Sequence, residues 1–160
     1  MRKITLVIVF LTAGYFCLGG SLCLGLMGEP QGGCLRPPGD FFLAEVSQSK
    51  NTDYIMCSQE GLFQPKGWLR RESYVLLEGA PRPSVVGIRR HLKRCMEALG
   101  GMVVFEGRCA PMDSTADLRA NDVILTGLIP TPWGNLYLEV WPWEQGESVN
   151  CQVTFILEDL

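Results

Sequence analysis

Arg2 and Lys3 are followed by 24 residues without a charge, Ile4 to Met27, before Glu29 and Pro30 restore polarity. About 20 apolar residues suffice to cross a bilayer, so this run decides where everything after it must fold. It reads either as a cleaved secretory signal or as an uncleaved helix held with its N-terminus inside by Arg2 and Lys3. Cys23-Leu24-Gly25 offers small residues at signal-peptidase spacing, and Gly19, Gly20, Ser21 and Gly25 weaken the end of any helix. A lipid-modified Cys17 or Cys23 is a third reading, without a persuasive small-residue context. All three export the remainder, to the periplasm or to its face of the inner membrane. Residues 1–27 are therefore assigned as signal peptide or N-terminal anchor, and residues 4–27 are the expected membrane contact.

Export gives the cysteines a context. Of seven, two lie in the export segment, and Cys34, Cys57, Cys95, Cys109 and Cys151 remain. In an oxidising compartment five thiols make two disulfides and leave one over, and one sequence does not fix the pairing. Cys95 falls on the apolar side of a helix and is the expected unpaired one, which leaves Cys34, Cys57, Cys109 and Cys151 as the candidate bridging set. No CxxC occurs and His91 is the single histidine, so neither a zinc site nor any other metal or cofactor is expected.

The rest of the chain divides by composition. Residues 28–40, GEPQGGCLRPPGD, are rich in glycine and proline and read as a tether. Residues 41–66 form an aperiodic arm, with short extended pieces at Phe42–Val46 and Tyr54–Cys57 around a polar turn at Ser47–Thr52. Order begins at residue 67. Trp68–Leu77 alternates as a half-buried strand, with Leu69, Val75 and Leu77 on one parity and Arg70, Glu72 and Tyr74 on the other. After a breaker, Ser84 can cap a helix whose apolar residues Val85, Ile88, Leu92, Cys95, Met96 and Leu99 share one face. Gly100-Gly101 ends it. Strands follow at Met102–Glu106, Val123–Ile129, Leu136–Trp143 and Gln152–Leu157, the last two forming a hairpin through Glu144–Glu147. The predicted fold is α+β: an antiparallel sheet of about five strands with one main helix packed on a face, a two-layer sandwich spanning residues 67–160.

Three segments in this order resemble a family. Val75-Leu76-Leu77-Glu78-Gly79-Ala80 is similar to the "LPEGA" turn of the periplasmic modules associated with OmpA-type outer-membrane proteins. Ile88-Arg89-Arg90-His91 through Ala98-Leu99-Gly100-Gly101 resembles their "ILRNYxxALxxxGG" helix. Leu138-Glu139-Val140, Gly146-Glu147 and Ile156-Leu157-Glu158 resemble the hairpin that closes the module. The Asn-Tyr of the helix motif is replaced here by Arg90-His91. The resemblance implies the module alone, without the peptidoglycan-binding OmpA domain that often follows it, acting non-catalytically in binding or assembly at the cell envelope.

Charge and aromatics supply the candidate contact residues. Lys66–Arg94 holds eight basic and two acidic residues, whereas Cys95–Leu160 holds two basic and ten acidic. A net charge of −3 argues against a nucleic-acid module. Arg70, Arg89, Arg90, Lys93 and Arg94 make a candidate basic face for an envelope protein or an anionic envelope polymer or lipid. The solvated surface of a charge-balanced domain is the plainer account of the same residues. Trp133, Tyr137, Trp141 and Trp143 make a candidate aromatic surface, which either meets a partner or glycan or packs beneath the 41–66 arm. The alternative from another class is a periplasmic thiol-dependent or hydrolytic enzyme using a cysteine or His91. No catalytic residue is assigned, since His91 lacks a partner in sequence and no nucleophile-elbow pattern exists.

Overall fold

The computed structural model describes residues 35–108 and 122–158. The export segment, and with it the choice between signal and anchor, lies outside the described residues, as do Cys34 and Cys109. Among the described residues no helix is long and apolar enough to cross a membrane.

The described residues form eight strands and one helix in order: β1 (Phe41–Asp53), β2 (Met56–Ser58), β3 (Gly61–Phe63), β4 (Lys66–Leu76), α1 (Val85–Ala98), β5 (Met102–Arg108), β6 (Val123–Thr131), β7 (Gly134–Gln145) and β8 (Ser148–Glu158). Six strands form one sheet in the order β1-β4-β8-β7-β6-β5, with every pair antiparallel. This order explains the connections. After β4 the chain must reach the far edge of the sheet, and α1 is the element that carries it there. β5 to β8 then meander back until β8 pairs with β4. Between β1 and β4, themselves paired, the chain makes an excursion as the separate β2-β3 hairpin.

The fold class is thereby corrected. Strands dominate the described residues: the expected two-layer α+β sandwich of about five strands is there a β-rich fold with a six-stranded sheet, a two-stranded hairpin and one helix. The missing strands come from the 41–66 arm. β1 is a sheet edge exposed along nearly its whole length, so neither parity had to be apolar. Its register shifts twice, at Leu43/Glu45 and Ser49/Thr52, which breaks what alternation remains. The supposed turn at Ser47–Thr52 is a bulged strand, with Asn51 at φ 51°. The tether also ends earlier than expected, because Pro37 is buried and Leu77 N donates to Asp40 O at 2.9 Å.

Both faces of the sheet are covered, by different elements. On the first, α1 lies across β5, β6 and β7. Ser84 caps it as expected, its side chain accepting from Gly87 N at 3.0 Å. Ile88, Leu92 and Met96 are fully buried. Met96 sits where β6 has no side chain: a Cβ on Gly127 would fall 1.8 Å from Met96 Sδ. Gly127 pairs with Leu138, so Leu136, Leu138 and Val140 face the helix, with Val153 and Phe155 beside them on β8. On the opposite face Tyr54 and Met56 from the hairpin segment form a core with Leu69 and Ile156, and Phe63 and Tyr137 pack against it.

Candidate functional site

The second face is unusual for its buried polar side chains. Strand register lines up Ser47, Arg71, Thr154, Glu139 and Thr126 in a row across β1, β4, β8, β7 and β6. Glu139, Thr154 and Thr126 are buried. A carboxylate this deep needs donors, and Tyr54 supplies one, its hydroxyl donating to Glu139 Oε1 at 2.7 Å. The Arg71 guanidinium lies over the Tyr54 ring, 5.5 Å from its centroid. Buried acid and aromatic ring are thus joined to a half-buried cation in one unit beneath the hairpin. The sequence reading missed Tyr54 and Glu139, and the only signal was an acid inside the apolar run Leu136–Trp143.

The four aromatics of the candidate surface are not brought together. Tyr137 lies under the hairpin, its ring 5.4 Å from that of Phe63. Burial, reinforced by Glu158, raises its phenol pKa. Trp133 occupies the β6–β7 turn, where its backbone N donates to Thr131 Oγ1. Trp141 and Trp143 stand eight and ten residues along, which at the usual rise is about 30 Å from that turn. They stack on each other at 4.4 Å, and Trp141 Nε1 donates to Asp122 Oδ2 at 2.8 Å. Beside them opens a cavity of about 430 Å³ lined by Asp122, Trp141, Trp143, Glu144 and Gln145. One part of the predicted surface is therefore covered by the arm, while another flanks an open cleft.

The basic face is reduced in the same way. Arg70 is nearly buried and bridges Glu72 at 2.6 Å. Glu72 also accepts from the Tyr74 hydroxyl, and burial, followed by this carboxylate, raises the Tyr74 pKa. Arg89 is buried, donates through Nη1 to Val123 O at 3.1 Å and lies 3.9 Å from Glu106. Burial lowers its pKa and Glu106 partly restores it. Lys93 bridges the same Glu106 at 3.2 Å. Arg89 and Lys93 tie the helix to the strands, whereas Arg70 bridges along β4. Arg90 and Arg94, one turn apart, are the members left exposed.

The cysteine assignment is corrected at two positions. Cys95, expected to be unpaired, is disulfide-bonded, as is Cys57. Cys151, placed among the bridging residues, is the free buried thiol. The error has a physical cause, since a helix position packed on a sheet reads as apolar whether its sulfur is a thiol or half of a bridge. Burial pushes the Cys151 thiol up to about 12, far from the thiolate that nucleophilic chemistry requires. His91 is half-buried, with Nε2 3.6 Å from Cys95 Sγ. Neither Cys57 nor Cys95 is a thiol, which leaves the thiol-enzyme alternative without a nucleophile at any described cysteine. Among the described residues no cluster of His, Cys, Asp and Glu could hold a metal.

Neither a protein-family model nor a curated protein matches the chain. The three sequence segments Val75–Ala80, Ile88–Gly101 and Leu138–Glu158 fall at the β4–α1 connection, on the helix with its C-terminal glycines, and in the β7–β8 hairpin.

Proposed function

We propose that the chain is an exported, non-catalytic binding or assembly module of the bacterial cell envelope, of the kind associated with OmpA-type proteins. The observation that carries this reading is the disulfide bonding of Cys57 and Cys95, because such bonds persist in the periplasm and are rare in the cytosol. It agrees with the apolar run after Arg2 and Lys3. The partner is an envelope protein or an anionic envelope polymer or lipid. It would meet the exposed Arg90 and Arg94 or the Trp141/Trp143 cleft.

Two experiments test it. In intact bacteria, a photo-crosslinker at position 90 or 143 should capture envelope components. Loss of residues 1–25 should abolish that capture along with export; finding the shortened chain in the periplasm would refute the placement. After denaturation without reductant, maleimide should label Cys151 but not Cys57 or Cys95. Labelling of both would remove the observation on which the reading stands.

A further inference from the structure

The second sheet face uses one chemical arrangement to completion and then begins it again. In the unit beneath the hairpin, the Tyr54 ring and the Glu139 carboxylate are completed by the chain's own cation, Arg71, over the ring. Farther toward β5, Phe63 and Tyr137 make a second aromatic pair, tilted at 57°. Glu158 is close enough to Tyr137 that, after burial, its charge raises the phenol pKa. Asn135 Nδ2 fixes that carboxylate at 3.0 Å. A second carboxylate, Glu60, lies on the β2–β3 turn. Between hairpin and sheet a cavity of about 450 Å³ opens, lined by Phe63, Tyr137, Val103, Val104, Leu128 and Glu60 together with Ser58 and Gln59. Among the described residues, no lysine or arginine bridges Glu60 or Glu158.

We propose that this cavity binds an organic cation, a guanidinium or alkylammonium group on an apolar stem. The head group would lie against the Phe63/Tyr137 rings within the field of Glu60 and Glu158, and the stem would run over Val103, Val104 and Leu128. Each part of the ligand has a counterpart. Ring faces attract cations, most effectively where water is partly excluded. Glu60 in the wall, with the charge of Glu158 near Tyr137, favours cations there. The aliphatic floor favours a stem over a bare inorganic ion, which would find neither a cage of oxygens nor a use for the apolar wall. This site goes beyond the envelope reading and does not depend on it, because nothing in its geometry refers to the compartment.

The experiment follows the methyl resonances of Val103, Val104 and Leu128 in the full chain while n-butylguanidinium is added, with n-butylurea as the neutral probe of the same shape. Saturable shifts of these three methyls by butylguanidinium are expected, with little response to butylurea. Raising the salt concentration should weaken the binding, since the carboxylate contribution is screened. Glu60→Gln, on an exposed turn away from the core, should weaken butylguanidinium about five-fold, and Tyr137→Leu by about as much or more. Equal binding of the two probes would overturn the proposal, as would shifts unaffected by Glu60→Gln in a chain that melts as the parent does. Shifts confined to the Trp141/Trp143 region would overturn it too. Failure here leaves the crosslinking and labelling outcomes above untouched, so the two readings fail separately.

Discussion

The two faces of the sheet solve the same burial problem with different materials. Under α1 the covering is aliphatic: Ile88, Leu92 and Met96 against Leu125, Leu136, Leu138 and Val140, all fully buried. Under the β2-β3 hairpin the middle of the face is a row of hydroxyls and charges, held by the Tyr54–Glu139 hydrogen bond and by Arg71 over the Tyr54 ring. The first face gains its stability from area removed from water. The second depends on the partners its buried polar groups keep, Tyr54 for Glu139 above all, since Thr126 Oγ1 and Arg71 Nε find none among the described residues. Each face therefore has a characteristic way of failing.

Truncation should separate them most clearly. Leu92→Ala removes a fully buried side chain from the centre of the helix face, and a loss of about 3 kcal/mol in a denaturant titration is expected. On the polar face the informative change removes one atom. Tyr54→Phe keeps the ring beneath Arg71 and takes away the donor to Glu139 Oε1, for a loss of about 2 kcal/mol with almost no change in buried area. If Tyr54→Phe were neutral, the polar row would be a passive surface and the contrast between faces would fall. A smaller effect tests the helix itself: Ser84→Ala deletes the side chain that caps Gly87 N and should cost about 1 kcal/mol.

The contrast also accounts for what could be read from sequence. The helix face was legible because burial there is written in hydrophobic residues at helical and strand periods. Ser84, the Ile88/Leu92/Met96 stripe and the β7–β8 hairpin appear where expected. The polar face was not, because Glu139, Thr154 and Thr126 look like solvent-facing residues until the register buries them, as do Glu72 and Arg89 on the helix side. Two of the five basic-face candidates, Arg70 and Arg89, are taken largely out of solvent in this way. β1 failed in the opposite sense, being a strand with exposed Phe42, Leu43 and Val46 and no alternation to show it. Of the aromatic candidates, the Trp141/Trp143 pair was recoverable from its shared parity. Asp122, which fixes Trp141 Nε1, carried no signal because it lies before the first residue of β6.

The smallest effect at neutral pH concerns Cys151, which β8 directs to the helix-side face beside Tyr74 and Pro142. Its thiol ionises near 9.0 when unburied and is pushed up to about 12 in the fold by burial. A folded value above the unfolded one means that the unfolded chain loses its proton first as pH rises. The stabilisation is whole below pH 9 and is lost progressively between about pH 9 and pH 12. At pH 10 that amounts to about 1 kcal/mol. Cys151→Ala, which cannot ionise and leaves only a small gap, should flatten this part of the alkaline stability profile by that amount while costing little at pH 7. The measurement is a pair of denaturant titrations at pH 7 and pH 10 for each chain. A parent and a variant that lose stability equally between those two conditions would show that the helix-side face tolerates a charge at its edge, and would erase the distinction between an apolar face and a polar one at this position.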